Sequence, residues 1–132
     1  MTRIESEEVT LNKSPEEVFN FLSDFNNLKK IMPEQVVDWQ STETDCSFTI
    51  KGMASLGMEL AEKTPHSQIK IARKGKAPFD FNLFCNMAAA DGNSTKLKLA
   101  FDADLNPMLK MMAEKPLKNF LNILAENFKK LG

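Results

Sequence analysis

The stretch that decides the fold is residues 79–105, FDFNLFCNMAAADGNSTKLKLAFDADL. Phe79, Phe81, Leu83, Cys85 and Met87 form one alternating run, and Leu97, Leu99, Phe101, Ala103 and Leu105 form another. Asp91-Gly92-Asn93-Ser94 separates them with turn chemistry. A period of two puts the large apolar residues of each run on one face. Two such runs across a short turn predict an antiparallel hairpin with one face buried and the other in water.

The same period extends backwards from this hairpin. Cys46, Phe48 and Ile50 alternate with Ser47, Thr49 and Lys51; Leu56, Met58 and Leu60 alternate with Gly57, Glu59 and Ala61; Ile69 and Ile71 alternate with Lys70 and Ala72. Lys51-Gly52, Thr64-Pro65-His66-Ser67 and Lys74-Gly75-Lys76 supply the turns. Residues 35–105 therefore read as a meander. Residues 3–11 alternate weakly and predict one further strand. Between them, Ser14-Pro15-Glu16-Glu17 is a helix start with a capping box and a proline at the first helical position. Val18, Phe19 and Leu22 give that helix an apolar face, and a second short helix after Asp24 carries Phe25, Leu28, Ile31 and Met32 up to Pro33. Residues 107–131 return to helical spacing, with Leu117, Phe120, Leu121, Leu124, Phe128 and Leu131 on one stripe.

These pieces predict an α+β shape. Six or seven strands at roughly 4.8 Å would make a flat sheet about 30 Å wide. One helix is only about 10 Å across. The sheet must curl around the long helix, the two short helices can close one end, and an apolar cavity is the natural by-product.

Composition sets the outer bounds. A chain of 132 residues predicts one domain, 1–132, with a core large enough to need no disulfide or metal. The 17 basic and 18 acidic side chains leave a net charge of −1, which removes nucleic acid as an expected partner. The start, MTRIESEEVT, lacks a secretory apolar run, and no stretch is long enough to span a bilayer, so the expected location is cytoplasmic. Cys46 and Cys85 then read as reduced thiols. They have no Cys or His partners at ligand spacing, so neither a metal nor a cofactor is expected.

The order strand, two short helices, six-strand meander, long C-terminal helix resembles the START-like superfamily, also called SRPBCC. That superfamily includes polyketide cyclases and birch-pollen-allergen-like proteins. The resemblance covers nearly the whole chain. It is carried by Val9-Thr10-Leu11 running into Ser14-Pro15-Glu16-Glu17-Val18-Phe19, by Ser23-Asp24-Phe25-Asn26-Asn27-Leu28 running to Met32-Pro33-Glu34, and by the Leu117–Phe128 helix. It implies a helix-grip fold with a deep hydrophobic pocket for lipids, sterols, polyketides or other apolar molecules. Some such proteins catalyse cyclisation or hydrolysis, and others only carry ligands.

A cyclase or hydrolase would need a proton donor or acceptor inside the pocket. The chain has no Tyr, and its one His, His66, follows a proline in a turn. Glu59, Asp80, Asp102, Asp104, Lys51 and Lys98 share the phase opposite the large apolar residues, which is the expected solvent face. Cys85 has the inward phase, where a buried thiol behaves as a small inert hydrophobe rather than a nucleophile. Arg73, Lys74 and Lys76 could contact an anion, or simply form a solvated hairpin tip. Phe84 interrupts the alternation between Asn82 and Asn86, so a bulge there would turn one of these amides inward. No catalytic residue is nominated.

Three of the 8 methionines, Met108, Met111 and Met112, cluster at the start of the last helix. On an unbroken helix they would lie opposite the Leu117–Phe128 stripe. Pro116 removes a hydrogen bond and predicts a kink or break, after which residues 107–114 could form a flap with its methionines at the pocket mouth. Plain core packing, or an exposed patch for dimerisation or transient membrane contact, are the alternatives.

The sequence therefore favours binding or carriage of an apolar small molecule of lipid, quinone or polyketide type. The expected ligand-binding residues are Phe48, Ile50, Met58, Leu60, Ile71, Phe81, Leu83, Cys85, Leu99, Phe101, Met108, Met111 and Met112. A cyclase or dehydratase and a protein-interaction module with a filled core are the alternative classes. Oligomeric state is left open.

Overall fold

The computed structural model describes residues 1–75 and 77–131. Eight strands form one antiparallel sheet: β1 Thr2–Glu5, β2 Val9–Leu11, β3 Val36–Ser41, β4 Asp45–Ile50, β5 Ala54–Thr64, β6 Gln68–Arg73, β7 Phe81–Ala90 and β8 Ser94–Ala103. Their spatial order is β1-β8-β7-β6-β5-β4-β3, with β2 also on β8. The meander is thus as expected, while the N-terminal strand is two strands rather than one. Ser6 is the break. Its backbone N–H donates to the Leu99 carbonyl at 2.8 Å, and its Oγ accepts from the Leu99 N–H at 2.9 Å. A side chain that takes over a backbone partner satisfies Leu99 while the ladder is interrupted.

Helix α1, Pro15–Leu22, begins with the full capping box: Ser14 Oγ accepts from Glu17 N–H, and Glu17 Oε1 accepts from Ser14 N–H, each at 3.2 Å. Helix α2, Phe25–Leu28, is capped by Asp24 and runs into a 3-10 turn, Lys29–Ile31. Helix α3, Pro107–Leu131, is continuous through Pro116. Asn106 caps it, its Oδ1 accepting from Leu109 N–H at 2.9 Å.

Two irregularities bend the sheet. One lies in β3 between Val37 and Gln40, where Asp38 takes φ 55°, and the other lies in β5 between Leu60 and Glu62. Such bulges sharpen local twist and help a sheet curl. The first turns Trp39 onto Phe48, their rings stacked at 5.3 Å. Gly57 marks a close approach: a Cβ there would collide with the Lys74 carbonyl oxygen. β7 and β8 pair without interruption from Phe81↔Ala103 to Ala90↔Ser94. No bulge therefore occurs at Phe84. Phe84, Asn82 and Asn86 stay on the outer face, where Arg3 lies over the Phe84 ring and Asn86 Oδ1 accepts from Gln68 Nε2 at 2.8 Å.

The concave face holds the core. α3 presents Leu117, Phe120, Leu121, Leu124, Ala125 and Phe128 to it, and all are buried. Two polar ties hold the helix in place. Asn122 Oδ1 accepts from Glu7 N–H at 2.7 Å, and Asn127 Nδ2 donates to the Ile31 carbonyl at 2.9 Å.

Candidate functional site

The site is an interior cavity between the sheet and α3. Its walls come from four sources. β4 and β5 supply Phe48, Ile50, Leu56 and Met58; β6, β7 and β8 supply Ile71, Leu83, Cys85, Leu97, Leu99 and Phe101. α1, α2 and the turn after α2 close one end with Leu22, Leu28, Ile31 and Met32, and α3 forms the floor with Leu117, Phe120, Leu121, Leu124 and Phe128. The wall is wholly apolar, and the space is about 40 Å³. That is room for about one water at its liquid volume, but an apolar hole of this kind stays dry.

Sequence phase located much of this wall. Phe48, Ile50, Met58, Ile71, Leu83, Cys85, Leu99 and Phe101 line the cavity together. Leu60, Phe81, Met108, Met111 and Met112 do not. Leu60 is half-buried beside the bulge that ends the alternation of β5. Phe81 is buried but stacks on Phe101 at 5.0 Å, with Phe79 edge-on to both, so this aromatic cluster fills that end of the sheet. The methionines point away altogether: Met108 is 71% exposed, Met111 87% and Met112 69%. The expected break at Pro116 does not occur, and helical phase therefore carries them outward. Pro116 and Met112 are both exposed, so the carbonyl deprived of a partner can be hydrated.

The residues that phase alone did not nominate came from the helices, together with Leu56 and Leu97. Their apolar periodicity was visible, but periodicity says that a residue is buried, not that it borders a void.

Chemically the cavity is quiet. Cys85 is the one titratable side chain on its wall among the described residues, and burial pushes its thiol up to about 12. Cys46 is pushed up to about 12 as well, mainly by burial and secondarily by the nearby Asp45 carboxylate. Both cysteines are free thiols. Among the described residues, every buried side-chain N or O atom has a hydrogen-bond partner, and no group of acidic, His or Cys side chains is arranged to hold a metal ion.

Charge lies on the outer face. Arg3 pairs with Asp102 through two hydrogen bonds, at 2.7 and 2.9 Å. Arg73 pairs with Asp80 at 2.6 Å and also donates to the Gly75 carbonyl. Lys74 pairs with Asp45 at 2.6 Å. Arg73 and Lys74 are therefore engaged by carboxylates rather than held open for an anion, and Lys76 lies outside the described residues. His66 is exposed in its turn, in the left-handed region at φ 61°, with its ring edge-on to Phe19 at 5.7 Å.

Comparison with known proteins agrees with this architecture. Residues 1–131 match the family model described as polyketide cyclase / dehydrase and lipid transport. The chain belongs to that family, and its fold is the START-like helix grip. The family suggests a ligand-binding or cyclase role. Comparison with curated proteins finds no match. Among solved structures, TTHA0849 from Thermus thermophilus is similar at 15% identity and TM-score 0.79, covering 98% of this chain and 95% of that one. A START superfamily protein from Mycobacterium smegmatis is similar at 14% identity and TM-score 0.72, covering 98% and 99%. The di-domain aromatase/cyclase BexL of the BE-7585A biosynthetic pathway is similar at 14% identity and TM-score 0.77, covering 98% of this chain and 46% of that one. Identities this low speak for the fold. Among the described residues no helix is long and apolar enough to cross a membrane.

Proposed function

We propose that this protein takes up an apolar small molecule of lipid, quinone or polyketide type in its interior and carries it without chemical change. One observation supports this reading above the others: the interior cavity at the centre of the helix grip has an entirely apolar wall. Burial there returns about 25 cal/mol per Å² of apolar surface and needs no polar anchor. The same wall offers a cyclase no proton donor or acceptor, since its thiol stays protonated near neutral pH.

The volume of about 40 Å³ sets a condition. Ligand pockets for drug-sized molecules run from about 300 Å³ upward. Binding must therefore select an opened minor conformation. The α2 segment is where the wall would open at the smallest cost in broken helix. It is short, ends in a 3-10 turn and is tied to α3 by the Asn127–Ile31 hydrogen bond.

Trp39 is the chain's one tryptophan, and its stack on Phe48 makes it a reporter of the wall. Titration with palmitate should change its emission with saturation at one molecule per chain. Native mass spectrometry of protein from its own host should show an apolar adduct. If no adduct copurifies and neither palmitate nor a quinone binds, the carrier reading fails. The second reading then stands: a core filled to within about 40 Å³ suits an interaction module that works by its surface.

A further inference from the structure

The first half of α3 carries an apolar surface that the cavity does not use. Met108, Met111 and Met112 are the most exposed large apolar side chains of the chain apart from Met1. At about 100° per residue they span about 100° of arc, opposite Leu117 and Leu124. Their neighbours are basic. Met111 shares a shallow surface depression with Lys110, Lys115 and Lys118, and with one acid, Glu114. The whole helix holds five lysines against two glutamates, a net +3 on a chain of net −1. Residues 108–118 hold three of these lysines, Lys110, Lys115 and Lys118, against Glu114 alone, a local net of +2, while the rest of the chain sums to −3.

We propose that the outward face of residues 108–118 docks on an anionic lipid membrane. Methionine is unbranched and polarizable, which suits shallow insertion among irregular acyl chains. Lysines beside it suit acidic headgroups, and their aliphatic stems extend the apolar surface. The helix is already folded against the sheet by its other half, so docking does not carry the ordering cost that a free amphipathic peptide meets. A second copy of the chain fits this surface less well. Stable dimers commit roughly 20–30 residues a side, far more than this patch, and a two-fold contact would set the lysines of both copies against each other. The inference is independent of the carrier reading, because it concerns the surface alone.

The test is co-sedimentation of the ligand-free full chain with phosphatidylcholine vesicles, with and without phosphatidylserine. Binding should require phosphatidylserine and weaken with salt. Substituting Met108→Ser, Met111→Ser and Met112→Ser together should weaken it by about tenfold or more. Lys115→Gln and Lys118→Gln should each weaken it roughly fivefold. If the triple variant does not fold, Met111→Ser alone carries the test, since Met111 is the most exposed of the three. Equal sedimentation with and without phosphatidylserine, or unchanged binding by the methionine variants, would overturn the proposal. A lipid-independent dimer that the same variants dissolve, with no vesicle binding, would overturn it in favour of a second copy. Palmitate uptake is measured without vesicles, so the two readings can fail separately.

Discussion

The two halves of α3 have similar apolar content and opposite fates. Leu117–Phe128 is held by the sheet, with Phe128 buried against Phe21 at 4.9 Å between ring centres and both asparagine ties on this half. Residues 107–116 reach past it, with only Leu109 and Ala113 half-buried and the three methionines in solvent. The difference is one of phase. A helix that stays continuous points residues 108, 111 and 112 away from the direction of 117, 121 and 124, whatever their hydrophobicity. Apolar character therefore does not decide burial on its own; an element's register with the rest of the fold also has to place the residue inside.

This contrast can be broken most directly with truncations in each half. Phe128→Ala should destabilise the fold by about 3–5 kcal/mol, as a large ring is lost from a packed site. Met111→Ala should change stability by no more than about 0.5 kcal/mol. Urea denaturation measures both, and similar losses would mean that the outer half is packed in solution. Pro116→Ala restores a helical N–H at an exposed position and should stabilise by about 1–3 kcal/mol. No gain would show that the helix already bends around the proline without cost. Asn122→Ala and Asn127→Ala remove the ties to Glu7 and Ile31 and should each cost about 0.5–1.5 kcal/mol. Of the two, Asn127→Ala should also raise amide exchange in residues 25–31, because its partner belongs to the segment that closes the cavity.

The smallest expected effect lies away from the helix, on the β1 edge. The hydrogen bonds from Arg3 hold the Asp102 carboxyl below its ordinary value of 3.8, against a weaker opposing effect of burial. The stability this contributes is fully present above that ordinary value and is lost as pH falls through the depressed one. Asp102→Asn should therefore flatten the acid end of the stability profile and leave the neutral region nearly unchanged, because exposed pairs are worth little. An identical acid limb in wild type and variant would show that the pair is not formed in solution.

Much of the fold was legible because its signals are local. The capping box at Ser14 and Glu17 formed as its spacing required, and the 79–105 hairpin kept its register throughout. The split at Ser6 was not legible, since it depends on a hydrogen bond to Leu99. Phe84 looked like a bulge because a large ring on the wrong phase suggests one. It is instead accommodated on the outer face, half-buried beneath Arg3. Within the candidate site, Leu83 and Phe81 have the same phase and similar burial, yet only Leu83 borders the cavity. The stack of Phe81 on Phe101 makes that distinction, and no pattern within one strand contains it.

The long helix and the alternating strands were determined by the sequence itself, through periodicity, caps and turn residues acting over a few positions. The same periodicity also held the correct outward phase of Met108, Met111 and Met112, provided that Pro116 did not break the helix. Only the tertiary structure decided that point, since Met112 and Pro116 both lie in solvent and the gripped half anchors the rest. It alone decided the cavity as well. A void of about 40 Å³ is the small remainder after many side chains pack together, and that remainder is a property of their sum.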